Sequence, residues 1–198
     1  YNKLARAAYD WRNGSLTLRW KFNSKDAAVI GNDKYSSMGN HQMSIGDVDG
    51  DGKDEILNGS SVINDDGKGL WTSGKGHGDA LHMTDLDPTH PGQEIWINLE
   101  SPSQYTPLGL RQYDAKTGAT IWGKATGTDD VGRSMVADID PSHLGYEMWG
   151  SSTGYVYDVH GNPISSNVPS YNFGIWWDGD LARELLDGNV MDKWNPLT

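Results

Sequence analysis

Four stretches of this chain can be laid over one another, and that repetition constrains its fold more than any other feature. His41-Gln-Met-Ser-Ile-Gly-Asp47, Asp79-Ala-Leu-His-Met-Thr-Asp85, Gly132-Arg-Ser-Met-Val-Ala-Asp138 and Asn172-Phe-Gly-Ile-Trp-Trp-Asp178 are short, largely apolar runs ending in Asp. A second acid follows two residues later in each (Asp49, Asp87, Asp140, Asp180). Another then opens the next apolar run (Glu55, Glu94, Glu147, Glu184). The leading Asp residues are 38, 53 and 40 positions apart. Repeats of that length built from short strands are expected to be propeller blades.

The rest of each unit fits a four-stranded blade. Tyr9-Asp10 to Gly14, Tyr113-Asp114 to Gly118 and Tyr157-Asp158 to Gly161 read as strand, tight turn, strand, and Asn64-Asp65-Asp66-Gly67 takes the same place in another unit. Gly and Asn suit hairpin turns because they tolerate positive φ. Only Asp180 to Asp187 could form a helical turn, and its match to the other repeats favours strand. Residues 1–22 resemble only the outer hairpin of a preceding blade, and the chain ends soon after the second strand of a later one. The expected fold is therefore all-β: residues 1–198 form part of one propeller domain, about three complete blades with a partial blade at each end. Closure protects edge strands, so the remaining blades are expected from sequence outside these residues, from another chain, or by closure of an unusually small ring.

Composition narrows the functional classes. Gly 25, Trp 9 and Tyr 9 against Phe 2 fit a turn-rich β protein. The absence of Cys excludes disulfides, thiolate metal sites and cysteine nucleophiles. A formal net charge of −11 argues against a nucleic-acid partner, which needs clustered Lys and Arg. No run approaches the ~20 apolar residues of a membrane-spanning helix.

Asp47-Val-Asp49-Gly-Asp51-Gly-Lys53-Asp-Glu55 is the strongest local motif. Alternate carboxylates on a tight loop aim several oxygens at one point, as Ca²⁺ requires. The expected ligands are Asp47, Asp49, Asp51, the Lys53 carbonyl and Glu55. It is not an EF-hand, because the twelfth position is Asn58, inside an apparent strand, rather than a bidentate Glu. Asp85, Asp87 and Glu94, then Asp138, Asp140 and Glu147, flank longer Pro-containing turns, and Asp178, Asp180 and Glu184 a shorter one. These are further expected metal sets. The competing reading is a turn held by side chain to backbone hydrogen bonds without an ion.

In a propeller the first strand of each blade is innermost, so the loops entering those strands gather around the central channel. His41, His77 with Asp79, Arg133 and Asn172 occupy those loops. Polar residues distant in sequence but equivalent in the repeat are expected to meet on one surface.

Gly39-Asn-His41, the Asp47–Glu55 loop, Asp66-Gly-Lys-Gly69, Gly76-His-Gly-Asp79-Ala, Asp85-Leu-Asp87-Pro and Asn172-Phe-Gly-Ile-Trp-Trp-Asp-Gly-Asp180 together resemble rhamnogalacturonan lyases of polysaccharide lyase family eleven. The resemblance runs over nearly the whole chain. It implies an eight-bladed propeller, of which this chain would hold under half. It also implies a secreted, Ca²⁺-requiring enzyme that cuts the rhamnose–galacturonate backbone of rhamnogalacturonan I. His41 and His77 match active-site positions near a metal, Arg133 matches a cleft arginine, and Asp79 and Asn172 are expected to contact substrate. The family's basic Asn-Gly-Thr-Lys segment does not occur in this chain and by position belongs after Thr198.

The implied chemistry is β-elimination: a base takes the C5 proton of a galacturonate and the C4–O bond breaks. A metal ion or an Arg on the C6 carboxylate stabilises the enolate-like transition state. His41 and His77 are candidate bases, with a Lys outside the chain as the alternative. Two other readings explain part of the pattern. An integrin-like calcium propeller that only binds accounts for the acidic loops but not for the channel-facing His and Arg. A quinone-dependent dehydrogenase is prompted by Tyr113-Asp114-Ala-Lys-Thr-Gly118 and Trp122, but would require that motif in every blade.

Overall fold

In a computed structural model, which describes residues 3–196, the chain is a succession of antiparallel sheets. A hairpin of β1 (Ala5–Arg12) and β2 (Ser15–Asn23) comes first. Three four-stranded meanders follow: β3 (Ser44–Gly46) to β6 (Gly69–Thr72), β7 (Leu81–Thr84) to β10 (Thr120–Ala125), and β11 (Ser134–Ala137) to β14 (Pro163–Ser165). The intervening strands are β4 (Glu55–Leu57), β5 (Ser61–Ile63), β8 (Glu94–Asn98), β9 (Leu108–Asp114), β12 (Glu147–Gly150) and β13 (Val156–Tyr157). A three-stranded sheet of β15 (Phe173–Ile175), β16 (Glu184–Asp187) and β17 (Val190–Lys193) ends the series. Each acid of the Glu55 set opens the second strand of its sheet, as the repeat predicts, and the stretch around Asp180–Asp187 ends in strand rather than helix. Asn58 lies one residue beyond β4. A 3-10 turn at Asn32–Tyr35 and a helical turn at Pro102–Tyr105 carry no repeat signature and were not expected from sequence. None of the described helices is long and apolar enough to cross a membrane.

The apolar cores lie between consecutive sheets rather than within one. Leu57, Val62 and Trp71 of the β3–β6 sheet bury against Leu81, Ile95, Ile97 and Tyr113 of the next. Trp96 and Leu110 then meet Val136 and Met148, and Met135 and Trp149 meet Leu185. The first strands approach one another in sequence order, β3 beside β7, β7 beside β11 and β11 beside β15. Sheet faces are therefore stacked around a common inner edge, and both faces of every middle sheet are covered. This explains why β8, which places Trp96 in its centre, and β12, which places Trp149, are buried throughout instead of alternating.

One device is repeated between sheets. Trp20, Trp71 and Trp122, on the last strand of their sheets, lie over the hairpin-turn glycines Gly67, Gly118 and Gly161 of the next sheet. Those glycines have φ of 80°, 72° and 82°, and a Cβ on any of them would fall within 2.5–2.8 Å of the indole. Trp71 and Trp122 also donate their indole N–H to the carbonyls of Ala115 and Val159, both at 2.9 Å. Glycine is required twice over, by backbone conformation and by the ring above it. Removing Trp71, the buried one of the three, should cost about 3–5 kcal/mol.

Candidate functional site

The loops entering β3 and β7 bring His41, His77 and Asp79 together, and Glu100, two residues past the end of β8, completes the group. Each contributes a ligand atom, and these atoms lie within 4.8 Å of one another. His41 Nε2 is 3.1 Å from Asp79 Oδ1, His77 Nε2 is 3.7 Å from Glu100 Oε2, and the two imidazoles stand edge to face at 5.0 Å. His77 Nδ1 donates to the Gly39 carbonyl at 2.6 Å, which leaves Nε2 as the lone-pair nitrogen facing the group. The His77 side chain is 8 % exposed and that of His41 51 %, so the cluster has a sealed side and an open side.

The backbone beneath is tightly set. Asn40 bridges Gly78 in parallel pairing, and a Cβ on Gly78 would collide with the Asn98 carbonyl oxygen. Only glycine fits between His77 and Asp79. Burial, opposed by the hydrogen bond to Gly39, lowers the His77 pKa and keeps the imidazole neutral near pH 7. Burial and the neighbouring Asp79 push Glu100 up to about 8, while Arg133 acts in the opposite direction. Glu100, pushed toward its neutral form beside Asp79 and two imidazoles, brings together the donor types that hold a divalent cation. The donor set fits a divalent ion held by His41, His77, Asp79 and Glu100.

Sequence reasoning found three of these four residues. Glu100 was missed because it falls outside the repeat, although it follows an acid-headed apolar strand directly. Arg133 is exposed and within electrostatic reach of Glu100. Asn172 is engaged elsewhere, donating from Nδ2 to Asp187 Oδ1 at 2.6 Å.

The four acidic turns divide into two kinds. In the first, Asp47, Asp49 and Glu55 gather, and Asp51, Glu55 and Asp65 form an overlapping group. Glu55 accepts the Val48 N–H at 3.0 Å through Oε2, while its Oε1 is buried without a hydrogen-bond partner. An orphaned buried oxygen aimed into an all-carboxylate group fits a hard divalent cation. Asp65, on the outer hairpin, was not expected. The Lys53 ammonium reaches Asp51 and Asp65, both at 3.0 Å. The last turn gathers Asp178, Asp180 and Glu184, and the Lys193 ammonium contacts all three.

The middle two turns differ from expectation. Asp85, Asp87 and Glu94 do not converge among the described residues, nor do Asp138, Asp140 and Glu147. Their longer Pro-containing loops satisfy the second acid internally: Asp87 Oδ1 accepts from the Thr89 backbone and hydroxyl at 2.9 and 2.6 Å, and Asp140 Oδ1 from Ser142 at 3.0 and 2.6 Å. A histidine also stands by each, His90 at 2.8 Å from Glu94 and His143 at 3.1 Å from Asp140. Glu147 nevertheless keeps an orphaned Oε1, and burial pushes it up to about 7. One feature is common to all four turns. The acid heading the second strand accepts a backbone N–H from the turn, of Val48, Leu86 and Asp87, Ile139 and Asp140, or Trp177.

Comparison with known proteins places this geometry in a family. The model of rhamnogalacturonan lyase family 11, C-terminal domain, matches residues 1–198. The rhamnogalacturonan endolyase YesW of Bacillus subtilis is 49 % identical over 98 % of this chain, and the exolyase YesX of the same organism 47 % over 94 %. The chain spans 30 % and 31 % of those two proteins. Among solved structures, the Bacillus licheniformis rhamnogalacturonan lyase PL11 superposes with a TM-score of 0.90 at 49 % identity, covering 98 % of this chain and 32 % of that one. The crystal structure of exotype YesX superposes with a TM-score of 0.88 at 43 % identity, covering 98 % and 34 %. This chain belongs to rhamnogalacturonan lyase family 11, over the C-terminal domain of that family.

Proposed function

We propose that residues 1–198 are part of the catalytic propeller of a secreted rhamnogalacturonan lyase that cleaves the rhamnose–galacturonate backbone of rhamnogalacturonan I by Ca²⁺-dependent β-elimination. The meander sheets are its blades, with further blades outside these residues. The observation that carries the reading is the convergence of His41, His77, Asp79 and Glu100 at the inner ends of two blades, with Arg133 close by. The kinship with named lyases supplies the reaction class.

The chemistry needs positive charge at the substrate's C6 carboxylate, because the C5 proton is a poor acid while that carboxylate keeps its charge. A cation in the cluster would supply Lewis-acid neutralisation of the carboxylate. Arg133 adds a planar donor fork suited to the same carboxylate. Neutral His77 would offer Nε2 to that cation, its own proton being held on Nδ1 by Gly39, and the C5 proton would then pass to the Lys expected outside these residues rather than to His77. Asp79 Oδ1 lies 3.1 Å from His41 Nε2 and sets both donors on the open side of the cluster.

In the first acidic turn Ca²⁺ would have a structural task, held by Asp47, Asp49 and Glu55 or by Asp51, Glu55 and Asp65, and would fasten the entry to β4. The test is release of unsaturated uronate from rhamnogalacturonan I, followed by its ultraviolet absorbance with Ca²⁺ and then with chelator. Formation that the chelator abolishes supports the reading. Ca²⁺-dependent binding without product would replace it with a binding propeller.

A further inference from the structure

The strand registers carry a second repeat. The first strands begin at Ser44, Leu81, Ser134 and Phe173, which pair with Leu57, Ile97, Gly150 and Leu186. The residues one step beyond those partners are Asn58, Asn98, Ser151 and Asp187. Every one of them bonds back to the loop that holds a channel-facing residue. Asn58 Nδ2 donates to the carbonyls of Asn40 and Gln42 at 3.3 and 2.9 Å, on either side of His41. Ser151 donates its N–H to the carbonyl of Arg133 itself at 3.0 Å, and Asp187 accepts from Asn172.

Asn98 does most. It is fully buried and uses both the oxygen and the nitrogen of its amide. Oδ1 accepts the Ala80 N–H at 2.8 Å and the Ser134 hydroxyl at 3.2 Å, and Nδ2 donates to the Val131 carbonyl. Its own carbonyl closes against Gly78. One side chain thus joins the loop of His77 and Asp79 to the loop of Arg133, two residues before Glu100 in the chain. These contacts hold the relative position of residues from two sheets, which no single strand pairing does.

We propose that Asn98 is a positioning residue for the lyase site, setting the distance of Asp79 and His77 from Arg133, with Asn58 doing the same for His41. The inference rests on the lyase reading for its kinetic consequence but not for its structural one. Asn98 touches no substrate. Loss of a group that orients site residues typically lowers activity by about 10–100-fold.

The test uses the full-length protein and compares Asn98→Ala with Ile95→Ala, a buried position on the same strand whose side chain faces the inter-sheet core. At a temperature well below both melting points, Asn98→Ala is expected to lose at least about tenfold in kcat. Ile95→Ala is expected to stay within about twofold of wild type. Independently of any activity, the imidazole NMR resonances of His77 and His41 should move in Asn98→Ala while those of His143 and His160, in the outer turns, stay in place. Equal kinetic losses in both variants, or His77 and His41 resonances unchanged in Asn98→Ala, would overturn the proposal. A wild-type protein without lyase activity would remove the lyase reading, and the resonance shifts would still decide whether Asn98 positions the cluster.

Discussion

The inner cluster and the outer acidic turns both collect negative charge, yet they are built differently. The turns use backbone: the leading Asp47 accepts the N–H groups of Gly50 at 2.8 Å and Gly52 at 2.9 Å, and the strand-heading Glu reaches back to its own loop. Apart from Asp65, the acids of each turn come from one short stretch of chain, and an ion there would stiffen one connection. The cluster draws its four side chains from three separate chain segments, mixes imidazole with carboxylate, and leaves one face open. Local oxygen-only sites suit stability; a convergent mixed site with an open side suits chemistry.

If that contrast holds, the two regions respond differently to substitution. The largest effect should come from His77→Ala, which removes the buried imidazole from the four converging donors. Turnover should fall at least about tenfold, with the Ca²⁺-dependent rise in melting temperature retained. Wild-type kinetics in that variant would take His77 out of the site.

A pH effect should follow from Glu100. Its carboxyl is pushed up to about 8 from its ordinary 4.5, so between those values the folded state holds a proton that the unfolded state releases. Stability of the cation-free protein should therefore fall as pH rises from near 4.5 toward 8, and Glu100→Gln should flatten that slope. Bound cation reverses the preference by stabilising the carboxylate. Urea melts at several pH values, with and without Ca²⁺, check this, and an unchanged slope in Glu100→Gln would assign the proton elsewhere.

Asp49→Ala should do the opposite of His77→Ala. The Ca²⁺-dependent gain in melting temperature should shrink by a few degrees, the scale of about 1 kcal/mol in a domain of this size, with kcat preserved. Loss of turnover without loss of stability would break the assignment of the turns to structure. The smallest effect is expected at Lys193→Met. Its ammonium already bridges Asp178, Asp180 and Glu184 at the surface, so the variant should make the melting temperature more dependent on added cation, by less than the change in Asp49→Ala.

Much of this was legible in sequence because repetition marks equivalent positions. The four turns, the second strands headed by Glu55, Glu94, Glu147 and Glu184, and the hairpins at Gly67, Gly118 and Gly161 all recur in the order the repeat requires. His41, His77 and Asp79 were readable for the same reason. What escaped was whatever the repeat does not copy. Glu100 and Asp65 belong to single units and reach their groups only through the fold. The middle turns carry the acids of the motif, yet Thr89 and Ser142 satisfy them, a competition that spacing alone does not settle. Asn58 lies just past the end of β4 and Asn98 ends β8, and only the pairing register shows that they are equivalent.

The most direct test of the division between cluster and turns is a metal add-back on the full-length protein carrying His41→Ala and His77→Ala together. After chelator treatment, wild type and variant are returned to Ca²⁺, and both the melting temperature and the release of unsaturated uronate from rhamnogalacturonan I are measured. The account predicts that both proteins recover their melting temperature and only the wild type recovers turnover. Recovery of turnover by the double variant would show that the histidine cluster is not the functional cation site.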